Sequence, residues 1–282
     1  MAPPPTRARR LYVALAAVFT ALAASAAPAT ANVVSPEPAH SPNAEDITTL
    51  YWIALAVGVV LTAAVIAAVL FVAMRYRERR GIDPRRLRGT RSVQLRAGAG
   101  LAALALVLFV LGVIYTERAR EVAPSGPEGL QASAATYAQK SLKPPPPDSA
   151  PLRIHATGQQ WLWRYEYPNG AFSYYELVVP VDTAVVLDLV STDVTHGWYV
   201  PELGGKFEAV PGKLNQAWFR ADEVGTYEGR SSTFSGSAYA ADRTAVRVVS
   251  PEEYQAFVEQ QKRDIEEAQT TVSSQIASGE RP

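Results

Sequence analysis

Charge-free apolar runs crowd the first 120 residues, and short alternating runs follow. Leu11 to Ala27 is apolar and Ala-rich, behind Arg7, Arg9 and Arg10. It ends at Ala29-Thr30-Ala31, the small-residue pattern of a cleaved secretory signal, so 1–31 is expected to be a signal peptide. Residues 47–74 and 97–116 carry no charged side chain. At about 1.5 Å per residue, roughly 20 residues cross a bilayer core, so both runs are expected to be membrane spans within a helix hairpin, 32–121. Nine arginines lie between Arg75 and Arg96, against Glu78 and Asp83 alone, which places the loop 75–96 in the cytoplasm. The C-terminal region is then exported, on the outer face of a multi-pass protein of the cytoplasmic membrane.

Residues 122–150 are rich in Pro, Ser, Ala and Gly and end in Pro144-Pro145-Pro146-Pro147, the composition of a linker with a stiff section. From 151 the pattern changes to short strand-like runs. These are Leu152–Ala156, Gln160–Tyr167, Leu177–Val179, Ala184–Val190, Trp198–Val200, Leu214–Phe219 and Ala245–Val249. Turn signals separate them at Pro168-Asn169-Gly170, Gly204-Gly205, Pro211-Gly212 and Val224-Gly225, which predicts a sandwich or barrel. Ser250 can cap a closing helix, with Pro251 at its first position and Glu253 completing a capping box. That helix is expected to be short, with 261–282 a polar tail.

Composition narrows the chemistry. The formal net charge is zero, but residues 151–282 hold 18 acidic and 11 basic side chains, a net of −7. Cysteine is absent, which removes disulfides, thiolate metal sites and cysteine nucleophiles together. The three histidines, His40, His155 and His196, are too few for an all-histidine metal cage. No phosphate loop, zinc motif or Ser-His-Asp spacing is present, and the Arg-rich loop is explained by topology, not by nucleic acid.

The aromatic segment Gly158-Gln159-Gln160-Trp161-Leu162-Trp163-Arg164-Tyr165-Glu166-Tyr167 resembles a motif of cytochrome oxidase subunit II. So does the stretch from Asp193 to Lys206, which contains His196-Gly197-Trp198-Tyr199-Val200-Pro201. Ala209-Val210-Pro211-Gly212-Lys213-Leu214-Asn215 and Gly225-Thr226-Tyr227-Glu228-Gly229 follow in the family's order. The resemblance runs from roughly Asp46 to Val258. It implies a membrane-anchored all-β protein: a transmembrane helix hairpin, then a cupredoxin-like Greek-key β-sandwich at 151–260 and a C-terminal helix.

The resemblance also implies a dinuclear copper site, and here the residues depart from it. His196 matches the first copper histidine of the family. Ser231 and Ser235 stand at the two cysteine positions, Thr233 at the glutamate, Tyr239 at the second histidine and Asp242 at the methionine. A mixed-valence copper pair needs soft bridging thiolates, and a hydroxyl is hard and protonated at neutral pH. The chain is therefore expected to bind no metal itself, with haem and copper in a partner subunit I. The serine-rich loop resembles that of quinol oxidase subunit II. By contrast, Trp161, Glu166 and Asp193 match an electron-entry and docking surface for cytochrome c.

Three functions follow as expectations. The first is a non-catalytic subunit II of a haem-copper terminal oxidase that caps subunit I beside subunit III, with quinol as donor. The second is a subunit II that docks cytochrome c without its own copper. The third is a paralogue serving as an assembly or binding module.

Overall fold

The computed structural model describes residues 35–75, 91–130 and 151–278. The expected signal peptide, the core of the Arg-rich loop and the polyproline section lie outside the described residues.

Two helices come first, α1 (Pro42–Arg75) and α2 (Arg91–Ala119), each long and apolar enough to cross a membrane. Along both, large apolar side chains stand exposed, Val60 and Phe109 among them. Contiguous bare apolar surface of this kind is what a bilayer or a partner helix covers. Helix α1 begins five residues before its charge-free run because its first turn is built into the next domain. Ser41 caps it, with Oγ accepting from the Ala44 N–H at 3.3 Å and donating to the Leu203 carbonyl, and Pro42 takes the first helical position. Asn43 Nδ2 donates to the Trp218 carbonyl at 2.6 Å. The His40 N–H donates to the Glu202 carbonyl at 2.8 Å, and the Asp222 N–H donates to the His40 carbonyl at 3.2 Å.

Among the described residues, ten strands form the expected β-domain. They are β1 (Leu152–Gln159), β2 (Leu162–Glu166), β3 (Phe172–Tyr174), β4 (Glu176–Pro180), β5 (Ala184–Ser191), β6 (His196–Tyr199), β7 (Phe207–Ala209), β8 (Asn215–Arg220), β9 (Gly225–Ser231) and β10 (Arg243–Val249). One sheet has the order β3-β2-β1-β5-β8 and the other β4-β10-β9-β6-β7. Each contains one parallel pair, β1 with β5 and β4 with β10. In β1, β2 and β10 buried residues alternate with more exposed ones, as half-buried strands should. The core between the sheets holds Ile154, Trp163, Tyr165, Leu187, Leu189, Trp198 and Phe219. A hydroxyl chain joins the two sheets. Trp198 Nε1 donates to the Tyr165 hydroxyl at 3.0 Å, which lies 2.5 Å from Thr244 Oγ1, and Thr244 donates to the Tyr175 carbonyl at 3.1 Å.

Strand β5 is buried on both faces. Its outer side, Ala184 and Val186, is covered by Val122, Ala123 and Trp218. The start of the expected linker is therefore docked. Ser125 Oγ accepts from the Ala184 N–H at 3.0 Å, the Gly126 N–H donates to the Asp182 carbonyl at 2.8 Å, and the Leu130 N–H donates to Thr183 Oγ1 at 2.9 Å. Gly129 is required here, since a Cβ on it would sit 2.1 Å from the Asp182 carbonyl oxygen. Backbone on backbone has no room to yield. Gly129→Ala is expected to cost about 1–3 kcal/mol as overpacking and to free residues 121–130 for proteolysis. Denaturant unfolding with limited digestion of the detergent-solubilised chain measures both.

The closing helix α3 (Pro251–Ser278) starts where expected. Ser250 Oγ accepts from the Glu253 N–H at 3.2 Å. Tyr254 and Val258 are buried in the sandwich, and the rings of Tyr254 and Phe257 meet Tyr167 edge-on. The helix is not short: it runs through the region expected as a polar tail from 261. Polarity is a poor guide there, because Gln, Glu and Ala are good helix formers and pairs such as Gln260 with Asp264, at 2.7 Å, support the exposed turns.

Candidate functional site

His196 opens β6 and is fully buried. Its Nε2 lies 2.8 Å from Asp193 Oδ1, and its Nδ1 lies 3.5 Å from Asp242 Oδ2. The ring meets Trp163 edge-on at 6.2 Å between centroids. Asp193, in the turn before β6, also accepts from the Val194 N–H at 2.6 Å and, through Oδ2, from the Gln160 N–H at 2.8 Å. Burial pushes its carboxyl up, but the hydrogen bonds from His196, Val194 and Gln160 outweigh this and hold it below its ordinary 3.8. Asp242 is the opposite case. Its side chain is buried, and burial raises its carboxyl above 3.8 against the pull of His196.

The serine-rich loop leaves the end of β9 and returns through a 3₁₀ turn, Tyr239–Ala241, into β10. Ser231 Oγ donates to the Thr233 carbonyl at 3.1 Å, so that hydroxyl is turned into its own loop. Thr233 Oγ1 donates to Glu208 Oε1 at 3.2 Å, across an open cleft of about 450 Å³ lined by Lys206, Phe207, Asn215 and Ser232. Ser235 is buried, and its carbonyl accepts from Gln160 Nε2 at 2.6 Å. Tyr239 is 38% exposed and packs edge-on against Phe234, itself 73% exposed. Of the six positions matched to copper ligands, the structure thus brings His196 and Asp242 into contact and buries Ser235. Ser231 and Thr233 bond elsewhere, and Tyr239 stands at the surface.

The three residues matched to electron entry are divided. Trp161 is half-buried, and its indole and the Gln160 side chain fill the space beside Gly236. Gln160 ties this turn to Asp193, so Trp161 and Asp193 are neighbours through it. Glu166 lies five residues farther along, about 16 Å at strand spacing, and pairs with Arg164 at 3.0 Å. Sequence reading missed Gln160 as a positioning residue. It binds Asp193 through its backbone and Ser235 through its side chain, and its place inside the aromatic motif was the available signal.

The fold and this buried histidine at the start of β6 define the class: a cupredoxin-like sandwich on two apolar helices. Residues 171–249 match the family model described as cytochrome c oxidase subunit II, periplasmic domain. The chain is 27% identical over 219 residues to a cytochrome c oxidase subunit 2 of Alkalihalophilus pseudofirmus, covering 76% of this chain and 58% of that one. It is 28% identical over 215 residues to a quinol oxidase subunit 2 of Bacillus subtilis, covering 75% and 62%. A crystal structure of the periplasmic domain of subunit II of cytochrome oxidase from Bradyrhizobium japonicum is 33% identical, covering 40% of this chain and 94% of that one, with a TM-score of 0.39. The chain belongs to the subunit II family of respiratory oxidases. It spans about three fifths of the length of the Alkalihalophilus and Bacillus relatives.

The copper pair that the family implies does not fit the donor set. The chain has no cysteine to bridge two ions, the resemblance matches Ser231 and Ser235 to the bridging positions, and a neutral hydroxyl does not share an electron between two ions. Among the described residues no group of three or more His, Asp or Glu side chains is placed to hold a metal ion.

Proposed function

We propose that this chain is a non-catalytic subunit II of a haem-copper terminal oxidase in aerobic respiratory electron transport, without the family's copper relay. The observation that carries this reading is the composition of the site. At the positions of the copper ligands stand two serines, a threonine, an exposed tyrosine and a buried carboxylate, and the one remaining histidine has its Nε2 bonded to Asp193. A domain built this way holds its shape but offers electrons no stepping stone. Its work is to cap subunit I on the outer face, with α1 and α2 packed beside subunits I and III. Haem and copper belong to subunit I, and a membrane quinol is the donor. The C-terminal domain faces the periplasmic side and the Arg-rich loop the cytoplasm.

The site geometry favours quinol over cytochrome c. Both oxygens of Asp193 accept internal hydrogen bonds, and Glu166 is paired with Arg164, so both carboxylates already have partners within the domain. Purification of the complex in mild detergent and oxygen uptake with each donor test the proposal. Turnover with quinol and little with reduced cytochrome c is expected. Turnover with cytochrome c alone, weakened in a salt-dependent way by charge reversal at Glu166 and Asp193, would establish the docking reading instead. Isolation without any haem-bearing partner would favour an assembly or binding module.

A further inference from the structure

We infer that a single proton is held between His196 Nδ1 and Asp242 Oδ2, and that this buried pair pins the 231–242 loop to strand β6. The inference rests on the proposed function only in requiring that the pocket hold no copper.

Among the described residues, six buried polar side-chain atoms lack a hydrogen-bond partner. They are His196 Nδ1, both oxygens of Asp242, Ser235 Oγ and the indole nitrogens of Trp161 and Trp163. Every one belongs to this pocket or its wall. Buried polar groups are almost always paired, so such a concentration singles out this pocket as the place where pairing has to be accounted for.

The direction of the imidazole fixes what is shared. Asp193 accepts at both oxygens and is held in its ionised form, so the nitrogen facing it, Nε2, must be the donor. Nδ1 is then the end turned to Asp242, at 3.5 Å, with both groups buried. A bare ring nitrogen facing a bare carboxylate would set two lone pairs against each other in a low-dielectric interior. One proton removes that conflict. With the proton on Nδ1 the pair is imidazolium and carboxylate; with it on Oδ2 the pair is imidazole and carboxylic acid. Either way Nδ1 and Oδ2 become hydrogen-bonded and the pair is neutral, which spares the interior the cost of an isolated buried charge. The surroundings add no competing charge. Gly158 of β1 and the Trp163 ring of β2 pack on the imidazole, and among the described residues the charged groups that face it are Asp193 and Asp242.

The pair also joins distant parts of the chain. His196 begins β6, while the Asp242 carbonyl accepts from the Ser231 N–H at 3.0 Å and its N–H donates to the Tyr239 carbonyl at 3.2 Å. Asp242 thus closes the loop at its base, and His196 anchors that base. The shared proton is what holds that anchor.

The full chain has three histidines, which makes selective ¹⁵N-histidine labelling in detergent micelles a direct test. The His196 signal is assigned as the one that remains when His40→Gln and His155→Gln are combined, both outside the pocket. At neutral pH the wild-type Nδ1 signal is expected to be that of a protonated or strongly hydrogen-bonded nitrogen. Asp242→Leu, which can neither donate nor accept, is expected to leave Nδ1 unprotonated and without a hydrogen bond, while His40 and His155 do not move. His196→Phe and Asp242→Leu, which leave no donor or acceptor, should each lower the melting temperature, and the double variant by less than the sum, because either change breaks the same pin. An unprotonated, unbonded Nδ1 in the wild type overturns the inference even if no variant folds. So do additive losses in the variants. Metal analysis separates its failure from that of the proposed function. One equivalent of a single ion lost in His196→Gln, with quinol turnover intact, overturns the proton alone, whereas paired copper overturns both.

Discussion

Trp163→Ala is expected to remove about 3–5 kcal/mol of stability, the usual cost of deleting a large aromatic from a core. Trp163 is fully buried between the sheets, stacked with Tyr165 at 6.5 Å and edge-on to His196 at 6.2 Å. Its loss opens a void that rigid strands on both sides do not refill, next to a pocket already carrying unpaired polar atoms. Set against a total of about 5–15 kcal/mol for a typical domain, that loss leaves the sandwich marginal. Trp161→Ala, two residues away, is the control. Its half-buried indole lies over the loop near Gly236 and not between the sheets, so about 1 kcal/mol is expected. Guanidinium unfolding of the full chain, followed by near-ultraviolet dichroism, compares the two. Equal losses would mean that the core does not depend on Trp163 in the way its burial implies.

That contrast also shows what the sequence could reveal. The aromatic motif was visible as a string, but the string does not say which of its tryptophans faces inward. Alternation from Leu162 through Glu166 does, once the strand is known to be half-buried. Strands with alternating or β-branched runs, such as β1, β5 and β10, were legible for the same reason. Strand β9 was not. Its sequence Gly225-Thr226-Tyr227-Glu228-Gly229-Arg230-Ser231 has two glycines and one apolar residue, the signature of a turn, yet it sits between β10 and β6. Gly229 is there because a side chain would strike Thr244 Cγ2 at 2.5 Å and Val200 Cγ2 at 2.8 Å. Close packing from neighbouring elements, not local propensity, chose that residue, and no local reading finds it.

The residue types of the candidate site were legible in the sequence, and their contacts were not. That serines stand at 231 and 235, in a chain without cysteine, is read from the sequence alone. That Asp242 reaches His196 while Tyr239 stays at the surface is not, because both follow from how a 3₁₀ turn at 239–241 presents successive residues. Likewise, the docking of 121–130 onto Asp182 and Thr183 overrides a composition that reads as a free linker.

The second large effect is a gain. The variant Ser231→Cys, Thr233→Glu, Ser235→Cys, Tyr239→His and Asp242→Met, with His196 kept, supplies the donor set that the family resemblance implies. It is expected to take up a copper pair with near-infrared absorption, where the wild type takes up none. Four of the five changes act on features already described. The two cysteines provide bridging thiolates that hydroxyls do not replace. The change at 242 frees His196 Nδ1, which otherwise faces the Asp242 carboxylate at 3.5 Å. The change at 239 asks most of the backbone, since that side chain must turn from the surface into the pocket. The two cysteine changes alone should therefore fail to give the paired-copper spectrum, with His196 still engaged by Asp242. Metal analysis and an optical spectrum of the purified full chain decide it. Paired copper in the wild type would show that hydroxyls suffice here. A folded five-site variant that stays free of copper would show that more than the donor set separates this pocket from the copper site that the resemblance implies.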